Sequence, residues 1–286
     1  MKKADERAHK VRIELTKLAK SRNTFSVNDL RVILALERIV ARLAVDETLS
    51  QHLVYKGGFV LMKVLQSERF TRDLDALGIG IDKDEVRRLV PKALEREIDD
   101  GFWFGDIKLK ELDAQGEYGA LRFDSAFQIG EPEAGKTGKL SRIHFDVGFG
   151  DKIPSKLKPL ESDSLLKSEK PISWRVYPSE YIFSEKLQTL VARGSANSRA
   201  KDVYDLVLLY PRCTDKQELK KAISATFTAR ATDMPSSLHD YAKSLTVQQI
   251  EISWNGVQLE TEKLDFKTAW AELLKVLREL DKVIGG

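Results

Sequence analysis

The chain has 286 residues and a mass of 32.4 kDa, enough to bury a sizeable core as one large or two modest domains. Its single cysteine, Cys213, excludes a disulfide scaffold and a cysteine-based zinc site, and no apolar run approaches the roughly 18 residues of a membrane span, so a cytoplasmic protein with no membrane partner is expected. Lysine and arginine number 47 against 44 aspartate and glutamate, a net charge of +3 that neither demands nor excludes nucleic acid.

Taken in chain order, Val11, Leu15 and Leu18 recur at helical spacing. The same stretch carries Lys2, Lys3, Arg7, Lys10, Arg12, Lys17, Lys20 and Arg22, read first as a solvated helix face and second as a footing for a polyanion. Ser26 with Asp29 forms a capping-box signature, and Leu30, Ile33, Leu34, Val40 and Ala41 carry that helix to about Val45. Residues 1–50 are therefore expected to be helical. Gly57 and Gly58 form a turn before an apolar helix through Phe59, Val60, Leu61, Val64 and Leu65. From residue 71 the period shifts toward two, predicting strands at 71–77, 102–112, 120–129 and 142–149, a charged helix near 83–97, and an exposed hairpin loop at 131–139. Pro154, Pro159 and Pro171 punctuate a connection. A helix then opens at Tyr177-Pro178-Ser179 and stops at Gly194, and Ser198 is expected to cap the next one, to about Tyr210. Segments near 216–228, 237–246 and 264–280 also read as helical. The expected architecture is α/β of the α+β kind: a lobe over 1–170 with a mixed sheet flanked by helices, and a mainly helical lobe over 171–286.

Chemistry concentrates in a few places. Alternation along a strand sends Asp73 and Asp75 to one face, about 7 Å apart at Cα, where they can share one or two hard divalent cations. Thr71 is expected on that face too. In Ile143-His144-Phe145-Asp146-Val147, Asp146 points away from the apolar layer; if this strand neighbours the first, three carboxylates converge and repel unless cations neutralise them. His144 is expected to pack or hydrogen-bond beside that place. Lys186 falls along the edge of a buried helical stripe and needs an anion, for which Asp202 is the structural candidate and a triphosphate the functional one. Arg199 and Lys201 could add phosphate contacts.

The series Lys56-Gly57-Gly58, Arg69-x-Thr71-x-Asp73-Leu74-Asp75, Asp146, Glu185-Lys186-Leu187 and Asn197-Ser198-Arg199-x-Lys201-Asp202-x-x-Asp205-Leu206 resembles the AbiEii/AbiGii nucleotidyltransferase toxins, including the mycobacterial MenT group. The resemblance implies a polymerase-β-like nucleotidyltransferase fold, an NTP substrate, Mg²⁺ or Mn²⁺, and an AbiEi-type antitoxin as partner. It also implies transfer of nucleotides to an RNA acceptor, the tRNA 3′ end, which blocks translation. Asp73, Asp75 and Asp146 take the metal-ligand positions, Lys186 and Asp202 those of the NTP-contacting lysine and its partner, and Lys56, Gly57, Gly58, Thr71 and Arg199 line the nucleotide. Phe59 stands where many members carry Ser or Thr, so the turn must rely on backbone N–H groups and the following helix N-terminus. The rival readings are an enzyme that modifies a protein or small molecule, and a non-catalytic nucleotide- or RNA-binding partner.

Overall fold

The computed structural model describes residues 3–21, 25–112, 119–133, 135–151, 153 and 157–285; Lys2, Arg22 and Pro154 lie outside them. Two compact units result. Met1–Gln66, Thr71–Gly150 and Lys156–Val176 form the first, and Ser67–Phe70, Asp151–Ser155 and Tyr177–Gly286 the second.

The first unit runs α1 (Lys3–Ser21), α2 (Val27–Val45), α3 (Glu47–His52), β1 (Leu53–Lys56), α4 (Gly57–Val64), β2 (Asp73–Gly78), α5 (Lys83–Glu95), β3 (Phe102–Leu112), β4 (Ala120–Ile129), β5 (Ser141–Gly148), β6 (Leu160–Ser162) and β7 (Ile172–Trp174). The first five strands form one sheet in the order β1-β2-β5-β4-β3, mixed because β2 and β5 are parallel while the other neighbours are antiparallel. Alternation does the sorting: Leu74, Ala76, Leu121, Phe123, Phe127, Phe145 and Val147 are buried on one face, and acids and bases occupy the other. Phe123 and Phe145 stack at 6.1 Å between ring centroids, and Tyr55 lies 6.4 Å from Phe145 and 5.3 Å from Trp174.

The capping box is present as expected: Ser26 Oγ accepts from the Asp29 N–H at 3.1 Å, and the Asp29 carboxylate accepts from the Ser26 N–H at 3.1 Å. Fully buried Glu37 on α2 takes Lys63 Nζ of α4 at 2.8 Å and lies beside Arg38, whose other edge reaches Glu169 at 2.8 Å. This holds the helix that follows the glycine turn against α2. The basic amino-terminal stretch is partly structural, since Arg7 pairs with Glu169 and Arg12 donates to the Ile129 carbonyl while Ala8, Val11 and Leu15 are buried. β1 was not expected; it follows α3, just beyond the helical stretch expected over residues 1–50.

The second unit holds α6 (Ser179–Arg193), α7 (Ala200–Leu209), α8 (Lys216–Ala229), α9 (Leu238–Ser244), α10 (Gln248–Trp254) and α11 (Phe266–Gly285). Gly194 ends α6 at φ +50, a conformation that favours glycine, and its N–H reaches the Leu190 carbonyl. The cap at the next helix is corrected: the Arg199 N–H is accepted by Asn197 Oδ1 at 2.8 Å, and the N-cap position is Arg199, not Ser198. Ser67–Phe70 runs antiparallel to the segment around Leu259, with the Phe70 N–H on the Gln258 carbonyl and the Glu260 N–H on the Glu68 carbonyl, both at 2.9 Å. No described helix is long and apolar enough to cross a membrane.

Candidate active site

The first unit sets a row of charged residues across the middle of its sheet. Lys56 at the end of β1 stands opposite Asp75 on β2, Asp75 opposite Asp146 on β5, Asp146 opposite Arg122 on β4, and Arg122 opposite Lys110 on β3. One step along, Asp73 stands opposite His144, and His144 opposite Asp124. The central parallel pair thus brings Asp73, Asp75 and Asp146 together, all half-buried, on the polar face.

Beside this row the chain turns sharply. Gly57 has φ +75, and a Cβ at this position would overlap the Asp75 carboxylate. Only glycine permits both the backbone conformation and so close an approach. The turn places the N-terminus of α4, whose first N–H groups have no partner within the helix and whose dipole end is positive, directly against a carboxylate of the central pair. Phe59, the residue without a hydroxyl, is buried and meets Trp174 edge-on at 5.8 Å, so it serves the core.

Arg122 was not anticipated. Its Nε–H donates to Asp146 Oδ1 at 2.8 Å and its Nη2–H to Asp146 Oδ2 at 2.6 Å, a two-pronged pair with the arginine side chain 37% exposed. The Asp146 hydrogen bonds, followed by the charges of Asp146, Asp73 and Asp75, hold the guanidinium above its ordinary value despite partial burial. The expectation that only divalent cations could relieve the clustered carboxylates is therefore amended, because this arginine already balances one of them. Among the described residues no set of three or more His, Cys, Asp and Glu side chains is arranged to hold a metal ion. Asp73 and Asp75 nonetheless fit a hard cation as a two-carboxylate donor set beside the glycine cradle.

His144 lies beside this row with its Nδ1 buried and, among the described residues, without a hydrogen-bond partner, 4.0 Å from Asp124 Oδ1, which takes Arg142 Nε at 2.6 Å. Thr71 is also corrected. It precedes β2 rather than lying on it, is 7% exposed, and turns its hydroxyl to the Asp73 backbone, with Asp73 N–H and carbonyl at 3.5 and 3.4 Å.

In the second unit Lys186 does meet Asp202, at 2.9 Å, and Asp205 as well, at 2.7 Å. Arg69 forks onto Asp205 with Nε at 2.8 Å and Nη2 at 3.0 Å, and Arg199 Nε reaches Asp202 at 2.6 Å. Burial alone would raise both acids, but Lys186 with Arg199 outweighs it for Asp202, and Lys186 with Arg69 for Asp205, so both are held below the usual carboxylate range. Burial likewise opposes the charge on Lys186, yet the two carboxylates hold its amine above its ordinary value. Arg69 and Asp205 belong to the quoted motif, and a buried lysine beside a single acid is the sequence signal for this second ion pair.

Comparison with solved structures places the fold. The chain is similar to MenT4, a nucleotidyltransferase toxin of Mycobacterium tuberculosis H37Rv, at 20% identity and TM-score 0.61, covering 94% of this chain and 89% of that one. It is also similar to JHP933 of Helicobacter pylori, at 16% identity and TM-score 0.52, covering 87% and 90%. At these identities the likeness is one of fold. A search of curated proteins gives no match. Residues 38–282, most of the chain, match the family described as nucleotidyl transferase AbiEii toxin, type IV toxin–antitoxin system, so this protein belongs to that family and is a nucleotidyltransferase.

Proposed function

We propose that the chain moves a nucleoside monophosphate from an NTP to an RNA acceptor, the 3′ end of tRNA, that the modified tRNA no longer supports translation, and that a cognate AbiEi-type antitoxin restrains this toxicity in the cytoplasm. The observation that supports it most is the contact of the Gly57 turn with Asp75: a phosphate-binding backbone and a cation-binding carboxylate share one spot.

Asp73 and Asp75 are the residues that would hold a divalent cation, Mg²⁺ or Mn²⁺, which when bound supplies Lewis-acid polarisation of the triphosphate. Lys56, Gly57, Gly58 and the α4 N-terminus receive phosphate oxygens, and Thr71 fixes the backbone from which Asp73 projects. The family likeness further assigns Lys186, Asp202 and Arg199 to the nucleotide. In the reaction the acceptor hydroxyl oxygen bonds to the α-phosphorus, the bond from that phosphorus to the β-phosphate oxygen breaks, pyrophosphate leaves with the electron pair, and the hydroxyl proton passes to solvent.

Incubation with each α-labelled NTP in turn, in the presence of total tRNA and of cell protein, tests the acceptor. Label should enter tRNA, and periodate oxidation of the tRNA 3′ terminus beforehand should abolish it. Label in protein or a small molecule alone would replace the RNA acceptor, and no label at all would favour a binding protein.

A further inference from the structure

The sheet face contains a positive charge that the nucleotidyl-transfer reading has not used. Arg122 lies opposite Asp146 in the register of β4 and β5, and both strands are held rigid by neighbours on either side. Two of its five N–H donors are taken by the two oxygens of Asp146, and the remaining three can serve a ligand. The side chain is 37% exposed while Asp146 is 19% exposed, so the arginine is the outward member of the pair. The charges of Asp73 and Asp75 act on its guanidinium as well.

A carboxylate whose two oxygens both face a guanidinium is a poor metal ligand, because coordination would require breaking a bidentate, charge-assisted pair. A guanidinium anchored in this way is well suited to bind a phosphoryl oxygen, having a planar fork, a permanent charge and a fixed direction. We propose that Arg122 supplies the second positive charge at the reacting phosphate, with a single divalent cation on Asp73 and Asp75, and that Asp146 is a positioning residue that aims Arg122 rather than a metal ligand. This rests on the nucleotidyl-transfer reading of the same face. As the acceptor oxygen bonds to the α-phosphorus and the bond to pyrophosphate breaks, Arg122 faces the negative charge that builds on the phosphoryl oxygens, and the acceptor proton leaves to solvent.

The assignment is tested by titrating Mn²⁺ into the full chain with a non-hydrolysable α,β-methylene NTP analogue, read by electron paramagnetic resonance, for the wild type and for Asp146→Asn, Asp75→Asn and Arg122→Gln. The expected result is one Mn²⁺ in total per complex of protein and analogue, its affinity weakened at least tenfold in Asp75→Asn and changed less than threefold in Asp146→Asn. Arg122→Gln should bind Mn²⁺ as tightly as the wild type or more tightly, since a repelling charge is gone, while its kcat falls and Arg122→Lys restores part of it. A second Mn²⁺ that disappears in Asp146→Asn, equal losses in Asp146→Asn and Asp75→Asn, or no Mn²⁺ in the wild type would overturn it. Absence of NTP turnover by the wild type, by contrast, counts against the transfer reading, and the Mn²⁺ stoichiometry is read without turnover.

Discussion

The two units each contain a cluster of aspartates and basic side chains, and the clusters differ chiefly in how much water reaches them. On the sheet, Asp146 and Arg122 are 19% and 37% exposed, and Gly57 leaves room at the neighbouring Asp75. Between the helices of the second unit, Lys186, Asp202, Asp205 and Arg69 are 10, 1, 0 and 6% exposed, and every acid there already faces two cations. Desolvated charges must satisfy one another, so the inner cluster fastens α6, α7 and the 67–70 segment together, whatever Lys186, Asp202 and Arg199 also lend to the nucleotide. The sheet cluster stays more open to solvent, with Arg122 keeping N–H donors beyond the two that Asp146 takes. Residue type alone does not separate the two roles; solvent access does.

The comparison is easiest to break at Asp205. Asp205→Asn leaves Lys186 and Arg69 buried with one acid fewer, and should cost about 3–5 kcal/mol of stability by urea denaturation; a loss below 1 kcal/mol would mean that the inner cluster is not a fastener. Acid should act next. Because Asp202 and Asp205 lie below their unfolded value, their contribution is present above about pH 4 and is lost as pH falls toward their folded values. Lys186 is raised, so its contribution is present below about pH 10 and is lost as pH rises through its folded value. Melting temperature should therefore drop between about pH 5 and 3, more gently in Asp205→Asn than in the wild type; parallel curves would contradict the assignment. The smallest stability effect is expected at the turn, where Gly57→Ala should cost about 1–2 kcal/mol for its left-handed backbone. Its turnover should fall further than that, because the added methyl displaces the Asp75 carboxylate. A variant with wild-type turnover would remove the turn from the site.

Much of this layout could be read from residues. Alternation placed β2 to β5 within a residue or two, although a register shift between Gly105 and Lys108 interrupts the period of β3, and Ser26 with Asp29 announced α2. β1 escaped because four residues, Leu53–Lys56, carry too little period and follow a helix without a proline or glycine to mark the change. At the candidate site, the placement of Asp73, Asp75 and Asp146 on one sheet face was legible from alternation, but their neighbours were not. Arg122 is 24 residues from Asp146 and Arg69 is 136 from Asp205, so only sheet order and helix packing pair them. A clue to Arg122 lay in its setting between Leu121 and Phe123, which turns it to the acidic face; the missing step was to place β4 beside β5. Asn197 rather than Ser198 met the Arg199 N–H because backbone geometry, not composition, selects between two adjacent capping side chains.

The central claim is that chemistry resides on the open face of the sheet, and Asp73→Asn tests it most directly. The variant should keep the wild-type melting temperature, as a half-buried strand residue outside the buried network, while labelled-NMP incorporation into tRNA falls on the order of a hundredfold or more. Undiminished incorporation in a folded Asp73→Asn protein would contradict the account.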